Sequence, residues 1–189
     1  MLRVAIGLPR ALALGFLALS CPVATASAQV ASAAGEAAAP TAAFDTLSPG
    51  QYRWHPEAAP AEGPVAIVVS IPLQRAYVFR AGILIGFSTV STGQPGYDTP
   101  TGVFPILQKK VDHRSSLYDD APMPYMQRLT WDGVALHAGH VAAVPASHGC
   151  IRLPHDFARR LYAVTALGAS VVVTDQAPAT PEEALALAS

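Results

Sequence analysis

The chain predicts a mostly-β domain, a sandwich or barrel with one helix packed alongside. Three observations carry this: short β-branched runs recur over about 110 residues, turn-rich stretches separate them, and only one segment shows a convincing helical stripe. Val65 to Ile71 is an apolar, β-branched run closed by Pro72, the length and composition of a buried strand. Arg75 to Arg80 alternates polar and apolar residues, and Ala81-Gly82 separates it from Ile83 to Ser91, which predicts a hairpin. Residues 91–102 are dense in Gly, Pro, Thr and Asp and predict a surface loop. Val103 to Val111 resumes as one strand, with Pro105 placing it at an edge or bulge. Residues 112–126 form a long loop holding His113, Pro122 and Pro124; its Tyr118, Tyr125 and Met126 either line a cleft or close the core. Arg128 to Trp131 and Val134 to His137 form a second pair turned by Asp132-Gly133.

The helix runs from about Phe157 to Leu167. Asp156 is its expected N-cap, Phe157, Leu161 and Val164 its buried stripe, and Gly168 its C′ residue. Ala169 to Thr174 is a final strand. The folded unit is thus expected over residues 64–175, followed by an Ala/Pro/Glu tail over 176–189 that holds a short helix at most. Residues 29–63 are rich in Ala and poor in large apolar side chains, so they read as a flexible tether with a small Tyr52–Trp54 island near its end.

Residues 1–28 have the form of a secretory signal peptide. Arg3 and Arg10 give a positive start, Ala11 to Leu19 an apolar run of nine residues, and Ala26-Ser27-Ala28 a small-residue cleavage site. Nine residues fall short of the ~20 needed to span a bilayer. Leu19-Ser20-Cys21 also has the form of a lipobox, which makes Cys21 an alternative lipid-anchor site. Both routes lead to an exported protein of the periplasm or cell envelope. Net charge is −1, 13% of residues are charged and no basic cluster occurs, so nucleic acid is excluded as a partner class.

The chemistry concentrates in residues 137–152. Of the two cysteines, Cys21 belongs to the export segment, which leaves Cys150 as a lone thiol in an oxidising compartment. It stands in Ser147-His148-Gly149-Cys150-Ile151-Arg152. Cationic neighbours and free backbone N–H groups lower a thiol's pKa, so the setting suggests a thiolate nucleophile. Gly149 lets the backbone approach a substrate closely, with the N–H groups of Gly149 and Cys150 turned toward a carbonyl oxygen. Arg152 lies two positions on, so an extended segment projects both side chains to one face, where a guanidinium can grip a carboxylate. His137 ends a predicted strand and can be presented across that face.

These residues carry a family resemblance. Ala146-Ser-His-Gly-Cys-Ile-Arg-Leu153, with His137 in a Leu-His-Ala-Gly setting upstream and Thr99-Pro-Thr-Gly-Val-Phe104 after a Gly-rich loop, resembles the signature of the YkuD-type bacterial L,D-transpeptidases. It spans roughly residues 64–175. The resemblance implies Cys150 as nucleophile and His137 as its base or imidazolium partner, oriented by the carbonyl of Ala138 or Gly139. It further implies an oxyanion pocket shaped by His148 and Gly149, a loop supported by Ser147, and Arg152 holding a substrate carboxylate. The implied partners are peptidoglycan stem peptides. Attack on the third residue's carbonyl releases D-Ala and leaves a thioester, and an amine then completes a 3-3 cross-link. Water as acceptor gives L,D-carboxypeptidase activity, and a protein lysine gives lipoprotein anchoring. No metal and no organic cofactor is implied.

His137 and Cys150 are 13 positions apart, short for this family: either the connecting loop is trimmed or the base is His140. Two other classes stand beside this one. His137, His140, His148 and Cys150 offer four ligands for a zinc hydrolase, and the same domain can be a cell-wall-binding module without catalysis.

Overall fold

The computed structural model describes residues 47–116, 119–142 and 144–188. The signal peptide, Cys21, most of the tether and Tyr118 lie outside them. Ten strands run in chain order: β1 (Tyr52–Trp54), β2 (Val65–Ser70), β3 (Arg75–Arg80), β4 (Ile83–Thr89), β5 (Gly102–Pro105), β6 (Gln108–Lys110), β7 (Met126–Arg128), β8 (Ala135–Ala138), β9 (Ile151–Leu153) and β10 (Ser170–Thr174). Two helices, α1 (His155–Val164) and α2 (Pro181–Ala186), complete the fold. The strands make two sheets, ordered β1-β4-β3-β2-β10-β5 and β6-β7-β8-β9. The architecture is the mostly-β one expected, with α1 packed against the smaller sheet's β8.

Side-chain alternation explains the layering. On β2, Ile67 and Val69 enter the main core while Val68 faces the other way; β10 divides Val171 and Val173 from Val172 in the same manner. The main core lies between the large sheet, the small sheet and the Phe157, Ala158 and Leu161 face of α1. Leu47, Ala184 and Leu185 cover the opposite face. The large sheet is therefore apolar on both sides, which is why β2 reads as a continuous hydrophobic run.

Four elements depart from the sequence expectation. The predicted strand 103–111 is two strands in different sheets. Pro105 has no N–H to continue the β10 ladder, and the chain turns through buried Ile106, whose N–H donates to the Ala169 carbonyl and whose carbonyl accepts from Gly168 N–H. The predicted pair 128–131 and 134–137 is shifted to Met126–Arg128 and Ala135–Ala138. Residues 129–134 between them are tied by Leu129 and Thr130 N–H bonds to the Val134 carbonyl.

Helix α1 starts at His155 rather than Phe157. Pro154 is its N-cap, Asp156 sits in its first turn, and Gly168 is not its C′ residue. It ends at Thr165, whose hydroxyl turns to the Leu161 carbonyl and to Gln127 Oε1. Finally, the large sheet begins before residue 64. Trp54 and Tyr52 set their rings on Phe157 at 5.5 and 5.6 Å between centroids, and Trp54 pairs with Gly86. A Cβ on Gly86 would lie 2.6 Å from the indole, so the glycine makes the slot that the tryptophan fills. Two aromatic side chains thus order a segment whose composition otherwise favours a tether.

Trp54→Ala empties this slot and is expected to cost about 3 kcal/mol, seen as a lower urea midpoint at unchanged slope. An unchanged midpoint would show that β1 contributes nothing to the fold.

Candidate active site

The site is assembled on the parallel pair β8–β9. Its register sets Leu136 opposite Ile151, His137 opposite Arg152 and Ala138 opposite Leu153. Leu136, Ile151 and Leu153 go into the core, so His137 and Arg152 share the other face, and Cys150, two residues before Arg152, joins them. All three line one cleft of about 530 Å³. Pro122, Met123 and Pro124 of the long loop form a wall of it, anchored to β8 by the Ala138 N–H bond to the Pro124 carbonyl. Gly139 follows β8 beneath Arg152: a Cβ there would stand 3.2 Å from Arg152 Cγ, so the arginine stem lies on bare backbone. Among the described residues no carboxylate pairs with Arg152.

The segment leading to Cys150 has no regular structure and is held from the side. Ser91 exchanges both backbone bonds with Arg152, at 3.0 and 2.9 Å. The Thr92 carbonyl accepts from Ala146 and Ser147 N–H, and Gln94 N–H donates to the Ser147 carbonyl. Thr92 is itself fixed by buried Gln74, whose Oε1 takes the Thr92 N–H at 2.9 Å and whose Nε2 donates to the Thr92 hydroxyl at 2.7 Å. The Thr99 hydroxyl accepts from Gly93 N–H and donates to the Gly149 carbonyl at 2.9 Å. Gly93 tolerates no side chain here, since its Cβ would fall 1.9 Å from the Tyr97 carbonyl oxygen. Gly149 has φ +102°, where L side chains are strained. Ser147 Oγ donates to the Cys150 carbonyl and accepts from Gly149 N–H at 3.2 Å. The Gly149 N–H is therefore engaged within the loop, and of the two expected donors only that of Cys150 is left for a substrate oxygen.

His137 is 7% exposed and its Nδ1 donates to the Ala138 carbonyl at 2.8 Å. Nε2 then carries the lone pair. Burial pushes its pKa from 6.5 down to about 4; the Ala138 bond opposes this, while Arg152 and His113 add to it. Burial also raises the Cys150 thiol, outweighing the opposing pull of the Ala135 backbone bond, Arg152 and Arg128. Burial thus works against the resting thiolate that the sequence suggests. The cationic neighbours are present, but the sulfur packs against Met123, Met126 and Ala135, and desolvation dominates. The resting thiol keeps its proton and donates to the Gly133 carbonyl at 3.4 Å.

His148 lies beside the cysteine, its ring edge-on to Tyr97 at 4.6 Å, on the cleft lining. His140 lines the same cleft farther out. Among the described residues no three His, Cys, Asp or Glu side chains gather closely enough to hold a metal ion, so the four-ligand zinc arrangement does not form. Tyr125 packs on His155 and Tyr162, and Met126 is fully buried in β7, so neither is part of the cleft lining. Sequence reasoning missed Gln74, Thr92 and the Gly133 and Ala135 backbone groups at the sulfur. A polar Gln just after a strand carries no signal that its partner lies 18 residues away.

The model of the L,D-transpeptidase catalytic domain (YkuD) matches residues 64–173. No curated protein matches the chain in sequence. Among solved structures, an L,D-transpeptidase from Mycobacterium smegmatis is similar at 26% identity and TM-score 0.55, with 58% of each chain covered. One from Stackebrandtia nassauensis reaches 28% identity and TM-score 0.56, covering 66% of this chain and 62% of its own. L,D-transpeptidase 3 from Mycobacterium tuberculosis, in complex with a faropenem-derived adduct, has 26% identity and TM-score 0.53 over 58% of this chain and 60% of its own. The chain thus spans about three fifths of these relatives' length. With the matched region holding both sheets' principal strands and the whole Cys150 cleft, the chain belongs to the L,D-transpeptidase catalytic domain family.

Proposed function

We propose that this protein is a cysteine L,D-transpeptidase of the cell envelope that acts on peptidoglycan stem peptides. The observation that carries the reading is the convergence of Cys150, His137 and an unpaired Arg152 on one face of β8–β9, opening into one cleft. The signal-like residues 1–28 support exported placement, with Cys21 as the alternative lipid-anchor site.

His137 acts as a general base, not as a standing imidazolium. Its Nδ1–H is fixed on the Ala138 carbonyl, so Nε2 takes the thiol proton as the sulfur attacks the carbonyl of the donor's third residue. The Sγ–C bond forms, and the developing oxyanion meets the Cys150 N–H at the loop shaped by His148 and Gly149. As the intermediate collapses, the amide C–N bond breaks. His137 returns the proton to the departing D-Ala amine, and a thioester remains. An amine from a second stem then attacks the thioester, passes its proton to His137, and the restored thiol departs from a 3-3 cross-link. Arg152 holds the donor's carboxylate in a planar fork while the sulfur attacks. Water in place of the amine turns the same cycle into an L,D-carboxypeptidase, and a protein lysine into an anchoring reaction.

Mass spectrometry of muropeptides incubated with the purified chain tests this reading. Loss of D-Ala, a thioester on Cys150 and 3-3 linked dimers are expected, and none should appear with Cys150→Ala. Full turnover in that variant would remove the thiol mechanism. Arg152→Lys should lower kcat/KM about tenfold, because a point charge replaces a bidentate fork; steady-state kinetics checks this.

The depressed His137 pKa sets two pH effects. The base is available above about pH 4, so acylation should rise through an acid limb near that value. Because the folded pKa lies below the unfolded 6.5, the associated stability is complete above pH 6.5 and is lost as pH falls toward 4, by about 3 kcal/mol. Urea midpoints at pH 7 and 4.5 should therefore differ less in His137→Gln than in the parent protein.

A further inference from the structure

The chain has two tryptophans, and the core uses only one. Trp54 fills the slot at Gly86, whereas Trp131, in the turn between β7 and β8, is 73% exposed. It is the most exposed large hydrophobic side chain among the described residues. A single exposed ring means little by itself. This one, however, is held in place. The Leu129 and Thr130 N–H groups bond to the Val134 carbonyl, and Val134 N–H donates to the Thr130 hydroxyl at 3.2 Å. The Arg128 guanidinium stands 6.0 Å from the indole centroid, steadied by its Nε bond to Gln108 Oε1 at 3.1 Å.

Trp131 also lines a second hollow of about 220 Å³, the space of roughly seven waters. Buried Met123, Met126 and Ala135 lie at its bottom, and His113, Ser116, Arg128 and Asp132 stand around it, exposed or half-buried. No polar group of this rim has a step in the proposed reaction. The hollow adjoins the Cys150 cleft, since Ser115, Met123 and Gly133 line both. The β8–β9 register gives the order of the parts. His137 and Arg152 lie toward the C-terminal ends of this parallel pair. In the other direction, past Cys150, comes Gly133, whose carbonyl holds the thiol, and two residues before it Trp131. The Cα atoms of Gly133 and Trp131 are at most about 7.6 Å apart. The sulfur therefore stands between a guanidinium on one side and an indole on the other.

We propose that the Trp131 hollow is a carbohydrate site that takes one pyranose ring of a glycan strand. Sugar binding there needs no residue of the chemistry; its use in turnover rests on the transpeptidase reading above. A pyranose has a face of C–H groups and an edge of hydroxyls. The C–H face packs on the electron-rich face of an indole. The hydroxyls both donate and accept, and the rim answers them: the Asp132 carboxylate accepts, the Arg128 guanidinium donates, and Ser116 and His113 offer either. Among the described residues Asp132 makes no ion pair. An apolar partner surface would leave these groups unsatisfied, and nucleic acid would meet a carboxylate with no basic cluster to offset it. Reach points to the donor's own strand. With the terminal carboxylate on Arg152 and the third carbonyl at the sulfur, three extended residues cover about 10 Å, which carries the sugar bearing the stem to the indole.

The test uses the full chain and chitotetraose, a peptide-free oligomer of N-acetylglucosamine. Saturation-transfer NMR on the sugar protons should show binding that weakens about tenfold in Trp131→Ala, the scale of one aromatic contact, and less in Trp131→Phe. The indole is exposed, so the variant should keep the parent's urea midpoint. A second arm identifies the strand. Acylation of Cys150 by a tetrapeptide is compared, by intact mass, with acylation by the same peptide carrying N-acetylmuramic acid on its first residue. The sugar should raise kcat/KM about tenfold in the parent protein and leave Trp131→Ala unaffected. Chitotetraose binding without that gain would overturn the placement of the donor's own sugar and give the ring to a neighbouring strand. No chitotetraose binding, or equal binding by parent and Trp131→Ala, would overturn the carbohydrate site and leave the transpeptidase reading intact. No adduct with either donor would overturn the transpeptidase reading, while the binding arm is still read on its own.

Discussion

The site depends on the hydrogen bonds between residues 91–99 and the segment 146–152. Before Ile151 that segment belongs to neither sheet, so its shape comes from partners rather than from a ladder of its own. Ser91 fixes Arg152, Thr92 fixes Ala146 and Ser147, and the Thr99 hydroxyl joins Gly93 to Gly149. These groups are buried, and buried polar groups are held firmly because leaving any of them unpaired costs about 1–3 kcal/mol. The turn-rich stretch 91–102 is therefore the mould for the Cys150 loop, with Gln74 as its backing. Gly93 and Gly149 are glycines for different reasons, the first for lack of space and the second for backbone angle.

Burial sets the electrostatics of the site. The same desolvation that raises Cys150 lowers His137, so both are neutral at rest. A protonated sulfur packed against methionine side chains is a poor target for oxidants, which react with thiolates. In the proposed reaction the proton leaves only when a carbonyl carbon is in place to receive the sulfur's electrons. Geometry, through the Ala138 carbonyl and the β8–β9 register, keeps the acceptor nitrogen ready for that moment.

Much of this was readable from the chain. The β-branched runs and their separators gave β2, the β3–β4 hairpin and β10, because hydrophobic alternation and turn residues act locally. The family signature around Cys150 marked residues that the structure brings to one cleft, because spacing of Cys, Arg and Gly on an extended segment is a local property too. What escaped was non-local. Residues 103–111 look like one strand until the competing partners Ala169 and Arg128 are known. Asp156 and Gly168 are good caps by type, yet Pro154 and the Thr165 hydroxyl decide where α1 begins and ends. The ionisation of Cys150 is non-local too: its charged neighbours are visible in sequence, and its burial beside Met123 and Met126 is not.

The short strand β1 has an effect beyond the packing of Trp54. Without it, β4 would present a free row of N–H and C=O groups at the margin of the large sheet. Such a margin recruits strands from other chains, and long flat ones seed aggregates. β1 closes it with three residues, exposes Arg53 outward and is followed at once by Pro56, leaving too little ladder for a further strand to add. The aromatic island therefore also guards the sheet against joining its own copies.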